Sequence, residues 1–269
     1  MQTNEKEEEL LALFLLLASR VEARLDQEVR PILRLAMLEL RQLISELSPE
    51  GQSRIFEWQQ IQPLALPILS TISSVLRVQI PPELEVIRPR IQRAAGEYVN
   101  RPAPEPEPLS NQELLGKVVI GGLTLNEILG TPGTANRLTI NMARDLDRMV
   151  RTSLFKETST SEIADKVVRV IERQGRVIAQ VRKGSYANQI LNRTNNTITA
   201  AVWDIANKTA RDFWQAVASP EQQWMWLATL ENTCEICLPL HRVTKPSLKD
   251  FPALPKVHPN CHCIVVPVL

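Results

Sequence analysis

Four cysteines and three histidines are the side chains of this 269-residue chain suited to bind a soft cation, and all seven fall within residues 234–263. They read Cys234-x2-Cys237, then His241, then His258-x2-Cys261-His262-Cys263. A metal accounts for such clustering, because several thiolates and imidazoles must converge within a few ångströms of one point. Zinc fits the set best: thiolates with one imidazole match its softness and its lack of geometric demand. Cys234 and Cys237 form one half of the expected site. His258, Cys261 and Cys263 form the other, which makes five candidates for four positions. Cys261 and Cys263 would face the same side of an extended strand. The fourth ligand is therefore open between them, and His262 is expected to point away. Buried reduced thiols without metal, and a disulfide or redox pair, are the competing readings.

Catalysis is harder to assemble from these residues. A catalytic zinc keeps an open position and needs a nearby base, and Glu231 and Glu235 qualify by proximity alone. A zinc deaminase carries His-x-Glu upstream of Pro-Cys-x-x-Cys. Here no histidine precedes Cys234, and Thr233 stands where the proline would be. The βαβ context of a thioredoxin-like pair is missing as well. With no histidine before residue 241 and no phosphate-binding glycine loop, the expected function is non-enzymatic. The segment after Trp226 is rich in proline and poor in apolar residues, so a closed metal clip would supply the stability a core does not.

The elements that must position this cluster read as helices. Hydrophobic residues make up 44% of the chain and aromatics only 4%, so Leu, Ile, Val and Ala carry the apolar load, which favours helix-on-helix packing. Residues 5–47 carry an apolar stripe from Leu10 to Leu47, with a kink or break expected at Pro31. Residues 52–100 read as shorter helical pieces cut by Pro63, Pro67, Pro81, Pro82 and Pro89. Residues 101–109 alternate proline with alanine and glutamate, the composition of an extended, semi-rigid spacer. Beyond it come a short strand and turn at 117–122 and a short helix or turn at 123–129. Residues 135–156 form a helix. A helix capped by Ser159 and Glu162 follows, carrying Ile163, Val167, Val170 and Ile171. A long helix runs from about Ser185 through Trp214, and an alternating strand from Gln223 to Ala228 leads into the cysteines. The expected fold is mainly α with a small β/loop, zinc-stapled C-terminal module (α+β) over 224–269. A helical N-terminal region (1–100) precedes it across the Pro-rich linker (101–109), and the remaining domain spans 110–269.

Net charge is +1, too small for global attraction to nucleic acid, but the total hides a split. Residues 1–109 hold 12 basic and 16 acidic residues, whereas 135–193 hold 12 basic and 6 acidic ones. Arg137, Arg144, Arg148, Arg151, Arg169, Arg173 and Arg176 are the candidate contacts to an anionic partner such as DNA. An ordinary solvated helix face is the plainer reading of the same charges. The start of the chain is acidic where a signal peptide needs positive charge. The apolar run Leu10–Ala18 is far shorter than the roughly 20 residues that span a bilayer. No membrane-spanning segment is expected, and in a reducing cytoplasm clustered cysteines are metal ligands more often than disulfides.

Trp226, Cys234-x2-Cys237, Leu240 and the terminal His258-Pro259-Asn260-Cys261-x-Cys263 resemble the C-terminal signature of the Mu F-like head morphogenesis proteins of tailed bacteriophages, also called minor head or minor capsid proteins. Upstream, Gly122-Leu123-Thr124-Leu125, the capped segment Ser159–Ala164 and the pair Arg193-Thr194 follow that family's order. The resemblance covers about residues 112–267. Four positions depart from the pattern. His262 replaces an arginine, Asn195 a glutamate and His241 a glycine, and where an aspartate commonly precedes the first cysteine the nearest acid is Glu231. The resemblance implies a low-copy virion component near the portal vertex that acts in procapsid assembly, with delivery of DNA at infection as a further role. It also implies the portal protein, the major capsid protein and packaged DNA as partners, with self-association open, a structural Zn2+, and a life in the host cytoplasm before incorporation into the capsid. The leucine-rich N-terminal helices, outside the resemblance, are the candidate docking arm.

Overall fold

The computed structural model describes residues 2–46, 53–131, 136–156, 159–180, 183–229, 235–251 and 262–269. It is mainly helical with a small strand region. Among the described residues, helices α1 (Gln2–Ser45), α2 (Ser53–Tyr98), α3 (Asn111–Lys117), α4 (Leu125–Leu129), α5 (Arg137–Phe155), α6 (Thr160–Val167) and α7 (Tyr186–Val217) alternate with seven short strands. These are β1 (Val119–Ile120), β2 (Leu123–Thr124), β3 (Arg169–Arg173), β4 (Arg176–Gln180), β5 (Trp224–Leu227), β6 (Thr244–Lys245) and β7 (Ile264–Pro267).

The prolines do not cut the first two helices. Pro31 lies inside α1, and the five prolines of the second region all lie within the span of α2. Each removes one helical hydrogen bond, at a cost of about 3 kcal/mol in an ordinary helix interior. The apolar stripe stays in phase across them. On α2 the buried positions Ala65, Leu69, Ile72, Leu76, Ile80, Leu84, Ile87, Ile91, Ala95 and Tyr98 take nine steps over 33 residues. That is about 3.7 per step, close enough to the 3.6-residue turn to keep one face inward along the helix. Burial of that face offsets the missing bonds.

Two compact units emerge. The first joins Met1–Arg24, Gln79–Leu125 and Asn196–Leu269; the second joins Leu25–Val78 and Asn126–Asn195. In the first, α7 is the central element. Residues 201–207 are buried on every side of the helix, as expected of a helix enclosed by its neighbours. Trp203 meets Phe14 of α1 with ring centroids 6.0 Å apart. Trp214 meets Tyr98 of α2 at 5.8 Å, and its indole N–H donates to the Ala95 carbonyl at 2.9 Å. Asp204 accepts from the Val119 backbone N–H at 2.7 Å and from Lys208 at 3.0 Å, so this buried carboxylate is satisfied by a strand end and a cation together. Lys6 donates to the Tyr98 carbonyl and Arg24 pairs with Glu83. The two numbers in each pair move in opposite directions, so α1 and α2 run antiparallel here.

The proline-rich segment is extended, but it lies against α2 rather than projecting as a free spacer. Arg88 donates to the Glu107 carbonyl at 3.0 Å, Gln92 to the Pro104 carbonyl at 2.6 Å, and Glu85 accepts from the Leu109 N–H at 3.3 Å. The reversal happens where α2 ends. Asn100 takes the left-handed conformation at φ 53°, and the Arg101 N–H donates to the Gly96 carbonyl at 2.9 Å. A Cβ at Gly96 would sit 2.6 Å from the Arg101 carbonyl oxygen, so the returning chain needs glycine there. Ser110 and Glu113 then form a capping box that starts α3.

In the second unit α5 buries Leu138, Met142, Leu146 and Val150, and α6 begins at a capping box formed by Ser159 and Glu162. That helix stops at Val167. Val170 and Ile171, expected to continue it, instead lie in β3, which pairs antiparallel with β4 from Arg169↔Gln180 to Arg173↔Arg176. Gln174 and Gly175 both have positive φ, 51° and 73°, the two-residue turn that matches strand twist. Tyr186 on α7 donates to the Met142 carbonyl at 2.7 Å. Burial pushes this phenol well above its ordinary range, so it stays a donor. Among the described residues no helix is long and apolar enough to cross a membrane.

Candidate metal centre

The C-terminal sheet has the order β6-β5-β7. Its middle strand was expected to alternate, yet Trp224, Met225, Trp226 and Leu227 are all buried, because β5 has a neighbour on either edge and core on both faces. Strand β7 pairs with it antiparallel from Trp224↔Pro267 to Leu227↔Ile264. This brings Cys263, the residue before β7, to the C-terminal end of β5. Cys237 lies on the segment that leads into the other edge of β5. It precedes the 3₁₀ turn Leu238–Leu240, where the Leu240 N–H donates to the Cys237 carbonyl at 3.1 Å. The chain then joins β5: Arg242 N–H donates to the Trp226 carbonyl at 2.7 Å, and Trp226 N–H to the Val243 carbonyl at 3.1 Å.

Both thiols are buried, at 1% and 3% exposure, and neither is in a disulfide. Cys234, His258 and Cys261 lie outside the described residues. Among the described residues no group of three or more metal-type side chains converges. The donor chemistry fits a soft cation: two buried sulfurs are carried by separate segments that each lead into an edge partner of β5.

Several side chains brace this end of the sheet, and spacing gave no hint of them. Asn207, buried on α7, donates to the Cys263 carbonyl at 3.1 Å and to the Trp203 carbonyl at 2.9 Å. It thereby ties the cysteine's backbone to the helix. The His262 ring stacks on Trp203, centroids 5.0 Å apart and planes 15° from parallel. His241 accepts a hydrogen bond at Nδ1 from the Ala228 N–H, 3.2 Å away. An accepting nitrogen carries no proton. Burial, and then the Arg242 charge, hold this imidazole below its ordinary pKa, against a smaller opposing pull from Glu7. Glu7, 5% exposed, pairs with Arg242 at 2.7 Å, and Arg242 itself has φ 62°. At the opposite end of β7, Tyr98 donates to the Pro267 carbonyl at 3.2 Å. Burial first and the Glu7 charge second raise that phenol far above its usual range.

The seven candidate arginines belong to two elements of the second unit. Arg137, Arg144, Arg148 and Arg151 are exposed on α5. Their steps of seven, four and three keep them on one face, opposite the buried stripe. Arg151 pairs with Asp147 at 2.9 Å. Arg169, Arg173 and Arg176 lie on the β3–β4 hairpin rather than on a helix, with Arg173 and Arg176 facing across its turn.

Compared with known protein families, with curated proteins and with solved structures, the chain matches none.

Proposed function

We propose that this chain is a minor head protein of a tailed bacteriophage: a non-enzymatic assembly factor that binds the portal or the inner capsid during procapsid assembly. In this reading it works at the capsid interior or portal vertex after assembly in the host cytoplasm, and contributes to DNA delivery. One observation carries the reading. Cys237 and Cys263, members of the terminal Cys/His signature, are both buried, Cys263 directly before β7 and Cys237 in the turn that leads into the other edge of β5. The signature's similarity to the Mu F-like proteins supplies the rest. Cys234, Cys237, His258 and one of Cys261 and Cys263 would hold a structural zinc, which cross-links segments that have little core of their own. Asn207 and Trp203 orient the strand that carries Cys263.

Metal analysis tests the staple. Freshly reduced full-length protein should carry about one zinc per chain, and Cys237→Ser should lose it; metal-free wild-type protein ends the zinc reading. Purified procapsids test the assembly role: the chain should be present in low copy with the portal. Its absence from both precursor and mature heads overturns the proposal.

A second reading, sequence-independent DNA binding, draws on the exposed arginine face of α5. Four phosphate contacts predict a log–log salt slope of about −3.6. A gel shift that is absent, or insensitive to salt, removes this reading.

A further inference from the structure

The outward face of α1 is ordered by residue type. Glu9 lies towards its start, Ala12, Leu15, Leu16 and Ser19 follow, and Arg20 closes the stretch; all six are exposed. Leu15 is 40% exposed and Leu16 46%. Ala12, Leu15, Leu16 and Ser19 recur at i, i+3, i+4 and i+7, which makes one continuous strip. Its first three members are apolar, and Ser19 ends it with a side chain too small to hold a neighbouring helix away. The strip lies on the side of α1 away from the buried Leu10, Phe14, Leu17 and Val21. Single exposed leucines need no explanation. A helical strip bounded by acid at one end and base at the other is a different pattern.

We infer that this strip binds a second copy of the chain, with the two α1 helices antiparallel about a two-fold axis close to Leu15. A two-fold interface uses the same patch on both partners, so the patch must complement itself when reversed. This one does. Glu9 and Arg20 are eleven residues apart, about 16 Å along the axis, and three helical turns keep them on the same edge of the strip. Their midpoint falls between residues 14 and 15. Reversal about that point sets Glu9 of each copy beside Arg20 of the other, forming the contact twice. It also sets Ala12 close to Leu16, so a small side chain meets a large one and the helices can approach closely. Parallel pairing would instead set Glu9 level with Glu9 and Arg20 level with Arg20, so that no opposite charges meet. Glu5 and Glu8 strengthen the acidic end, which disfavours an anionic partner such as nucleic acid on this face. The inference does not depend on the head-protein reading.

Sedimentation velocity on the full-length protein over a range of micromolar concentrations tests it. A reversible monomer–dimer equilibrium is expected, and Leu15→Glu/Leu16→Glu should leave only monomer with an unchanged circular dichroism spectrum. Glu9→Arg alone and Arg20→Glu alone should each weaken the dimer about tenfold, a size typical of close interfacial charge pairs. Mixing those two single variants should restore it as a heterodimer, because every contact then joins opposite charges. Wild-type protein that stays monomeric, a dimer indifferent to the leucine changes, or mixed variants that form no heterodimer would each overturn the inference. The charge variants keep the test decisive if the leucine variant fails to fold.

Discussion

The two candidate chemistries of this chain sit in different compact units and are built by different means. The first unit holds the thiols, and its buried bonds join residues far apart in the chain. Glu7 and Arg242 are 235 positions apart, Tyr98 and Pro267 are 169, Ala95 and Trp214 are 119. In the second unit the arginines line a face set by the period of one helix, and the buried bonds there span less. Tyr186 and Met142 are 44 positions apart, Asn136 and Ser73 are 63. The surroundings of the two buried thiols thus depend on the N-terminal helices, whereas the arginine stripe depends mostly on α5 itself. Deleting residues 1–100 would remove part of the first unit's core as well as any docking arm, so surface substitutions are the cleaner probe of docking.

The sharpest way to break this contrast is Trp203→Ala. It removes a buried ring that touches both Phe14 and His262, and should cost about 3–5 kcal/mol in chemical denaturation. Amide exchange should accelerate in β5 and β7 while α5 keeps its protection. Equal acceleration in both units would erase the distinction. Next comes Arg242→Ala, which strands the buried Glu7. Because the arginine is 44% exposed, the loss should be about 2 kcal/mol rather than the larger cost of a fully buried pair. Arg242→Gly should lose about 1 kcal/mol less, since φ 62° penalises a side chain. The opposite order would mean that backbone strain plays no part.

Ser159→Ala, in the second unit, should cost about 1 kcal/mol through loss of the α6 cap. Glu162 is held below the usual carboxylate range by hydrogen bonds from the Ser159 N–H and hydroxyl. A folded pKa below the unfolded one means that this contribution is complete above pH of about 4.3 and is lost as pH falls through the folded value. Glu162→Gln should flatten that part of the acid-unfolding profile; an unaltered profile would assign it elsewhere. The smallest effect belongs to His241. With its folded pKa depressed, its contribution is full above about pH 6.5 and declines on acidification towards the folded value. His241→Asn keeps an acceptor for the Ala228 N–H, and should remove that slope from stability measured against pH.

Much of the second unit was legible from local rules. The Ser159–Glu162 cap and the buried side of α5 both follow from spacing that one helix can satisfy alone. The hairpin at Arg169–Gln180 escaped because Val167, Val170 and Ile171 also fit a helical step. The Gln174-Gly175 turn decided between two periods that short apolar runs do not separate. Prolines misled in the opposite sense: they point to kinks or breaks, when the stripe staying in phase across them is the stronger signal. At Cys237 and Cys263 the thiols could be seen in the sequence, but their supports could not. Asn207 and Trp203 answer to Cys263 and His262 more than fifty residues away, and no local pattern marks such a partner.

Glu7 also carries a cost in time. Its partner Arg242 is synthesised 235 residues later, and at about 5–20 residues per second that interval is about 12–47 s. For most of that interval Leu10, Phe14 and Leu17 are without Trp203 and the rest of α7 to cover them. The nascent chain therefore presents a leucine-rich helix early and closes over it late. A ribosome-associated chaperone should hold this protein longest through its first twenty residues, and release should follow completion of α7.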